Sequence, residues 1–442
     1  MRRLAWLSLV LVLALILTFG FAATTIAQKK TLEFCVEFTN SPGLEGMKTW
    51  FEDFNASHPN IEVRIRTMGY GNEYLTSVKA ALAAGVGIDL FRMFGPSTIG
   101  PYADANLLLD LSPYAKKYQW DKKIFSYALE SHTYKGKLAA FPGNPETLLL
   151  FYNKTQFDKN GWKPPKNWDE LSRVCEQIQK AGKIPIAFGT RGFTPANEWW
   201  LSCVFSYCAG PEAVYQALTG KIPWTSTPFA DSISRIKYMW DKGWLMDKRM
   251  YDIGPRDARE GFSRQEALMM MDGSWGVKYF LSMVQDFEFG LVEFPNLGST
   301  KVALPLALGF TVGVNAKTKN PEAAAEFLDW LVDNPRQAVL NGVAYYEFWL
   351  PIIKGTPEML PGTIDRRAGD LYKIFYQAQS SGKFGYTTWT FFPARTQTFM
   401  YENLPRVLHG ELSIEDYLKQ AQSTFEKDYA EGKVMSVPKP NL

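Results

Sequence analysis

The sequence has few of the residues on which metal sites and disulfide frameworks depend. It contains four cysteines without a Cys-x-x-Cys pair, and three scattered histidines, which are His58, His132 and His409. This spacing excludes the common zinc-binding patterns. Cys203 and Cys208 are five positions apart in an apolar helical stretch, where their side chains point in different directions. We therefore predict buried free thiols, with a disulfide as the alternative in an oxidising compartment.

The familiar catalytic motifs are also missing. The sequence has no Gly-x-Ser-x-Gly, no Walker loop, no His-Glu-x-x-His and no dinucleotide fingerprint after a strand. Carboxylates are plentiful, but their spacing singles out no pair of the kind that glycosidases use. We predict a protein that is not an enzyme and that binds no cofactor or metal, with a secreted glycosidase-like enzyme as the alternative.

Neither sign of charge dominates the chain. The formal net charge is +3, and it falls to +1 without Arg2 and Arg3. Because no basic stripe remains, neither nucleic acid nor an anionic membrane surface is an expected partner.

One long apolar run occurs, at the N-terminus. It follows Arg2 and Arg3, covers residues 4–19, and leads to the small-residue sequence Thr25-Ile26-Ala27. This is the pattern of a signal peptide, which we assign to residues 1–27, and it predicts a periplasmic or extracellular protein. The alternative is an uncleaved anchor, since apolar residues continue to Ala23 and approach spanning length.

The rest of the chain is long, apolar and rich in aromatic residues. The 442 residues of the whole chain exceed a single core, so two lobes are expected. Residues 138–141 and 148–152 read as strands, and the segment Pro142-Gly143-Asn144-Pro145 between them is predicted to cross open space, because proline cannot donate a sheet hydrogen bond. Asn167 caps a helix over residues 168–181.

The region after the signal peptide alternates strands and helices. The predicted β-α-β-α-β elements are residues 31–38, 43–57, 61–65, 72–84 and 88–94, from alternating apolar residues in the first two strands, helical spacing in residues 43–57, and Gly85 as the C-cap of the second helix. This order indicates a parallel sheet, whose ligands lie beyond the carboxyl ends of the strands, here near Thr39, Asn40, Met93 and Phe94. Further crossings are predicted after the strand at 287–294 and at residues 345–350, followed by a helical C-terminus.

Several motifs occur in an order that a known family shares. They are Tyr134-Lys-Gly-Lys, Phe151-Tyr-Asn-Lys, Pro164-Pro-Lys-Asn-Trp-Asp-Glu-Leu, Glu266-Ala-Leu-Met with Gly273-Ser-Trp, and Asn320-Pro-Glu-Ala. With them the chain resembles the carbohydrate-binding extracellular solute-binding proteins of ABC importers, which include the maltodextrin-binding proteins. One departure is Gly87-Ile88-Asp89, where the family commonly has proline before the aspartate.

The resemblance implies an α/β fold of two lobes, joined by three crossing segments and closing on a sugar. It places the N-terminal lobe at residues 28–145 plus 296–348 and the C-terminal lobe at 146–295 plus 349–442. The implied partners are a carbohydrate ligand and the transmembrane permease of the importer, and the protein is expected to be a monomer.

The resemblance also marks aromatic ligand-binding residues. Trp275 matches the tryptophan whose indole packs on a sugar ring, with a core role as the alternative. Trp199 and Trp200 cannot both face one core, and we assign Trp199 to the cleft. Trp389 lies in an aromatic patch before the C-terminal helix, where Phe391 or Phe392 is the alternative.

Other candidates lie at the crossing and at the strand ends. Asn144 and Glu146 belong to the first crossing, where a carboxylate can accept hydrogen bonds from sugar hydroxyls, and the alternative for Glu146 is a solvated hinge acid. Phe310 begins a strand that enters the cleft, and its alternative is a core position. Arg395 starts a C-terminal helix beside the aromatic patch. Together with Thr39, Asn40, Met93 and Phe94 these complete the predicted ligand site.

A second class of ligand stays open at this stage. A receptor for glycerol phosphate or another polar solute needs guanidinium groups that converge on the phosphate. Arg92, Arg191 and Arg395 are the candidates for that role. The sequence does not identify the sugar, its chain length or the permease.

Overall fold

The structure is a computed structural model that describes residues 29–37, 42–69, 71–85, 87–334, 339 and 353–442. Three of the predictions fall outside these residues. They concern the signal peptide, the ligand residues Thr39 and Asn40, and the third crossing at residues 345–350.

Two mixed β-sheets form the framework of the described chain. The strands are β1 (Lys30–Val36), β2 (Ile61–Thr67), β3 (Leu90–Met93), β4 (Thr133–Tyr134), β5 (Lys137–Leu138), β6 (Phe141–Glu146), β7 (Leu148–Asn153), β8 (Ile184–Ala187), β9 (Ala267–Gly273), β10 (Phe289–Glu293), β11 (Pro305–Val314) and β12 (Gly385–Tyr386). The first sheet has the order β12-β11-β3-β1-β2, and β6 also pairs with β11. The second sheet has the order β10-β7-β9-β8, while β4 and β5 pair only with each other.

Helices cover both sheets and make up most of the C-terminal region. They are α1 (Pro42–Ser57), α2 (Asn72–Ala84), α3 (Ile99–Asp104), α4 (Ser112–Lys117), α5 (Trp120–Lys123), α6 (Ser126–Ser131), α7 (Lys154–Asn160), α8 (Trp168–Lys180), α9 (Asn197–Val204), α10 (Pro211–Leu218), α11 (Thr227–Asp241), α12 (Pro255–Ser263), α13 (Gly276–Met283), α14 (Pro321–Asp333), α15 (Arg366–Ser381), α16 (Thr388–Phe391), α17 (Ala394–Leu408) and α18 (Ile414–Ala430). In the part of the chain described here, none of them has the length and apolar character needed to cross a membrane.

The predicted β-α-β-α-β unit is present at the start of the first sheet. β1 pairs in parallel with both β2 and β3. Helix α1 buries Leu44, Trp50 and Phe54, among other residues at helical spacing, against the sheet. Helix α2 ends at Gly85, whose left-handed conformation, with φ of 69°, supplies the predicted C-cap.

The first crossing is shorter than predicted. Residues 142–145 do not cross open space, because they belong to β6, which pairs antiparallel with β11 through irregular register around Phe310. Proline is tolerated there since β6 pairs with β11 alone among the described strands, and an edge strand leaves one side without ladder bonds. Strand β7 begins in the other sheet two residues after β6 ends, so the chain changes sheets at Thr147.

The four cysteines have free thiols. Cys203 is buried in α9, and Cys208 lies in a π-helical turn over Phe205–Ala209 that continues this helix. The sequence predicted an ordinary helix through these residues. The turn ends at Gly210, whose φ of 86° is accessible to glycine.

Candidate aromatic and carboxylate ligand site

Two predicted tryptophans lie side by side. The ring centroids of Trp199 on α9 and Trp275 after β9 are 5.1 Å apart, with an angle of 58° between the ring planes. Trp275 is partly exposed and Trp199 is 7% exposed. Trp200 is fully buried against Phe188 and Phe294. The structure thus brings Trp199, and not Trp200, to Trp275.

The turn that carries Trp275 is shaped by a glycine. A Cβ atom on Gly273 would lie 2.2 Å from the Trp275 ring. The indole therefore packs directly against the glycine, in space that any larger side chain at this position would need. The preceding residue, Asp272, is fully buried and receives two hydrogen bonds from Arg259, of 2.7 and 3.1 Å. This bidentate pair fixes the end of β9 and therefore the start of the tryptophan turn.

Glu146, the last residue of β6, is a buried carboxyl group in front of another glycine. A Cβ on Gly309 of β11 would collide with the Glu146 carboxyl group. Burial raises the pKa of Glu146 to about 7, against the attraction of the Arg92 guanidinium and hydrogen bonds from the Asn144 and Trp389 side chains. Near neutral pH the group is therefore poised between its acid and its carboxylate form.

The Arg92 guanidinium on β3 attracts this carboxyl group and already takes part in another ion pair. It forms an ion pair with Glu37, which follows β1, and both side chains are almost completely buried. Its guanidinium carbon lies 4.9 Å from the centre of the Phe94 ring and 5.1 Å from that of Phe310. Phe94 and Phe310 thus act on Arg92 as aromatic supports. Met93 is buried in a core cluster against which Phe94 also packs.

Trp389 in α16 connects this region to the C-terminal part of the chain. Its side chain hydrogen-bonds to Glu146, and its carbonyl accepts a 2.7 Å hydrogen bond from Ser97 Oγ. A Cβ on Gly95 would lie 2.4 Å from the same carbonyl oxygen, so the loop after β3 packs directly on this tryptophan. Phe391 and Phe392, the alternatives to Trp389, are both buried in the core.

The buried acid Glu198 was not among the predicted residues. Its carboxylate accepts hydrogen bonds from Thr388 Oγ1 at 3.1 Å and from Gln397 Nε2 at 2.5 Å. Burial raises its pKa to about 7, against these two bonds. A glutamate at a helix start reads as a solvated residue, and its partners are about 190 residues away in the chain, so the sequence carried no signal for this role.

These contacts close into a ring, which we call the site ring. Glu146 contacts Trp389, the neighbouring Thr388 contacts Glu198, and the adjacent Trp199 contacts Trp275. The ring returns to the first crossing through Ser274, whose Oγ accepts a 3.3 Å hydrogen bond from the N–H of Thr147. This series of contacts connects five of the predicted residues, which are Asn144, Glu146, Trp199, Trp275 and Trp389.

Arg395 is not brought to the site ring. Its guanidinium forms ion pairs with Asp428 at 3.3 Å and Glu431 at 2.7 Å, both at the end of α18. These ion pairs hold α17 against α18. Among the described residues, Arg395 therefore binds the end of α18 and is not a member of the site ring.

Two buried side-chain atoms at the ring, Asn144 Oδ1 and Thr147 Oγ1, have no hydrogen-bond partner among the described residues. Asn144 is 3% exposed and its side chain hydrogen-bonds to Glu146, but its Oδ1 accepts no hydrogen bond. Buried acceptors are normally satisfied, so this oxygen is suited to a hydrogen-bond donor on a ligand. Among the described residues no group of three or more His, Cys, Asp or Glu is placed to hold a metal ion.

Comparisons with known proteins agree on one family. A family model described as bacterial extracellular solute-binding protein matches residues 40–338. A multiple sugar-binding protein of Streptococcus mutans is 24% identical over 299 residues, which are 64% of this chain and 67% of that protein. A "Probable sugar-binding periplasmic protein" of Mesorhizobium japonicum is 33% identical over 145 residues, only 34% of its length.

The fold has close counterparts among solved structures. The structure of a chitin oligosaccharide binding protein superposes with a TM-score of 0.75 at 22% sequence identity, covering 91% of this chain and all of that one. The predicted two-lobe α/β class and the helical C-terminus are therefore confirmed. The exact lobe boundaries stay a prediction.

Proposed function

The chain belongs to the bacterial extracellular solute-binding protein family, and from this premise we propose that it is the sugar-binding receptor of an ABC importer. It is a binding protein and not an enzyme, as predicted. We further propose that its ligand is a carbohydrate, specifically an oligosaccharide, and that its partner is the membrane permease. We also propose that the protein is located in the periplasm or outside the cell.

The site ring is the observation that carries this proposal. A pyranose has an apolar C–H face that suits an aromatic ring, and a rim of hydroxyl groups that need polar partners. Trp199 and Trp275 supply the aromatic surface, while Asn144 and Glu146 supply acceptors at the other side of the ring. The sugar-binding names of the two relatives and of the structural neighbour support the same class of ligand.

Delivery to a permease requires that binding change the shape of the receptor. The chain passes from the first to the second sheet at Thr147, and the site ring draws side chains from both sides of this passage. A sugar that touches both sides favours the closed arrangement because it makes more contacts there. The permease is then expected to recognise the closed form.

A phosphorylated ligand is disfavoured by the arginines. Arg92 pairs with Glu37, Arg395 pairs with Asp428 and Glu431, and the largely exposed Arg191 lies 3.6 Å from Asp257. Each guanidinium considered for a phosphate is thus neutralised by a carboxylate. In the part of the chain that the structure describes, each of these three arginines would have to leave its carboxylate to bind a glycerol phosphate.

A thermal-shift screen tests the proposal. The purified protein is heated with glucose, galactose, maltose, xylobiose, N,N′-diacetylchitobiose or glycerol 3-phosphate. A sugar at about one hundred times its dissociation constant stabilises the fold by about 2.7 kcal/mol, which gives a readable shift. We expect a shift with at least one sugar and none with glycerol 3-phosphate.

Two variants show whether a sugar uses the site ring. Trp275→Ala removes the stacking surface and is expected to abolish the shift, whereas Tyr429→Ala removes a ring that is 53% exposed on α18 and is expected to keep it. A response to glycerol 3-phosphate alone contradicts the sugar assignment. Equal sugar responses in both variants contradict the stacking site.

A further inference from the structure

The site ring is richer in acids than in bases. It contains the buried carboxyl groups of Glu146 and Glu198, and no lysine or arginine is a member of the ring described above. The cations next to it are Arg92 and Arg259, and each pairs with a buried carboxylate, Glu37 and Asp272 respectively. Both of these arginines are thus paired with a carboxylate, and an anionic ligand would compete with that carboxylate for either of them.

Two buried side-chain atoms at the ring have no partner among the described residues: Asn144 Oδ1, which can only accept, and Thr147 Oγ1, a hydroxyl that accepts or donates. Asn144 directs its side-chain hydrogen bond to Glu146 and leaves Oδ1, a pure acceptor, buried and without a partner. The Glu146 carboxylate, which accepts hydrogen bonds from the Asn144 and Trp389 side chains, is a further acceptor at the ring. A ligand that fits must bring hydrogen-bond donors, which hydroxyl and ammonium groups provide and carboxylate and phosphate groups do not.

We propose that the site ring selects its sugar by charge, so that it accepts neutral and amino sugars and rejects uronic acids and sugar phosphates built on the same ring. This inference rests on the proposed function and names the class of sugar more narrowly. Glu146 is its main determinant, and Asn144 is the acceptor that a ligand donor satisfies.

The physical basis is the cost of placing an anion in this environment. A ligand carboxylate next to Glu146 repels it and loses its water without gaining a cation, since Arg92 is committed to Glu37. An anionic sugar avoids this repulsion only if Glu146 takes up a proton and stays in its acid form in the complex. A hydroxyl or ammonium group instead donates to Asn144 Oδ1 and to the carboxylate, and an ammonium group also gains from the nearby indole rings.

Matched sugars provide the test. Dissociation constants are measured by calorimetry at pH 7.5 for glucose, glucuronate and glucosamine, for galactose, galacturonate and galactosamine, and for N,N′-diacetylchitobiose and its deacetylated diamine. We expect each acid to bind at least about ten-fold more weakly than its neutral partner, while the amine binds at least as tightly as the neutral sugar.

Variants assign the discrimination to named residues. Glu146→Gln keeps the shape and removes the charge, so the gap between acid and neutral sugar is expected to narrow by at least about three-fold. Glu198→Gln serves the same purpose if the first variant does not fold. Glu288→Gln is the control, because this carboxylate is exposed and pairs with Lys154 on α7.

The outcomes separate this inference from the function on which it rests. An acid sugar that binds as tightly as its neutral partner, or a gap that stays the same in both glutamine variants, overturns the charge selection and leaves the sugar receptor intact. Absence of binding to every sugar tested, acid, neutral or amine, overturns the proposed function and this inference with it.

Discussion

At the scale of single residues, two glycines decide where the functional side chains lie. Gly273 leaves the space that the Trp275 indole occupies, and Gly309 leaves the space for the Glu146 carboxyl group. Neither glycine contacts a ligand through a side chain. Their contribution is the absence of a Cβ atom, which no larger residue can reproduce without moving the tryptophan or the glutamate.

Gly273→Ala is therefore expected to displace Trp275. The added methyl group would lie 2.2 Å from the indole, so the ring must rotate away and the stacking surface is lost. We expect sugar affinity to fall by about ten-fold or more, and the overpacked turn to cost about 1–3 kcal/mol of unfolding free energy. Calorimetry with the sugar found by the screen and denaturant unfolding measure the two effects.

A matched glycine provides the control for that substitution. A Cβ on Gly362 would meet no atom within 4 Å, so Gly362→Ala is expected to leave both quantities unchanged. If the Gly273→Ala protein binds sugar as tightly as the Gly362→Ala protein, the position of the indole in this structure is not the one that binds sugar.

Glu146 gives the stability of the protein a specific dependence on pH. Its pKa is about 7 in the folded state against an ordinary value of 4.5, so the folded state holds more protons than the unfolded chain between these values. The unfolding free energy therefore falls as pH rises from about 4.5 to 7, by about 3 kcal/mol from this group.

The Glu146→Gln variant isolates this contribution. It has no proton to lose, so its stability relative to the natural protein is expected to increase as pH rises through this range. Denaturant unfolding at pH 5, 6, 7 and 8 measures the difference between the two proteins. A difference that is constant across this range shows that Glu146 does not titrate in the folded protein as described.

At the scale of secondary structure, the end of β9 is the element on which the site depends most directly. The strand delivers Asp272, Gly273 and Trp275 in succession, and the bidentate pair between Asp272 and Arg259 of α12 holds its last turn. Because Asp272 and Trp275 belong to the same turn, loss of this ion pair is expected to change the position of the indole as well as the stability of the protein.

Arg259→Met tests this coupling. It leaves the buried Asp272 without its ion pair, which is expected to lower the unfolding free energy by about 3–5 kcal/mol and to weaken sugar binding through the displaced turn. The double variant Arg259→Met, Asp272→Asn removes the uncompensated charge and is expected to be more stable than Arg259→Met alone. Denaturant unfolding measures all three proteins. A double variant less stable than the single one contradicts the charge argument.

The sequence predicted the regular elements because their periodicity is local. The alternation in β1 and β2, the helical spacing in α1 and the cap of α2 were confirmed. Asn167 also caps α8, with its Oδ1 accepting from Glu170 N–H at 3.0 Å. The π-helical turn and β6 were not predicted, since both depend on partners distant in the chain, and the strand pairing of β6 outweighs the usual effect of two prolines.

The site was less predictable than the elements. Trp275 was predicted from a motif, but the orientation of Trp199, the contacts of Glu198 and the ion pairs of Arg395 depend on helices that are distant in the sequence and pack together. Charge and polarity identify a residue as a candidate for the site. Only the packing decides whether its charge faces a ligand or another side chain.

At the scale of the whole molecule, one segment joins the two halves besides the crossings. Residues 385–392, the bridging segment, pair with β11 and contact the loop after β3 through Trp389. In the same segment, the Tyr386 carbonyl accepts a 3.1 Å hydrogen bond from Ser206 Oγ. The Thr388 N–H donates a 3.0 Å hydrogen bond to Ser202 Oγ. The C-terminal region thus touches the first sheet as well as α9, which the predicted lobe boundaries did not include.

This arrangement makes a prediction about shape. A sugar bound in the site ring, as proposed, would contact Glu146 at the end of the first sheet and Trp275 at the end of β9 in the second, so bound sugar would add attraction between the two halves. We expect small-angle X-ray scattering to give a smaller radius of gyration with saturating sugar than without it. Trp275→Ala, measured at the same sugar concentration, is expected to keep the unliganded radius because one of the two contacts is lost. Scattering curves that coincide with and without sugar, for a protein that calorimetry shows to be saturated, exclude closure as the signal that a permease reads.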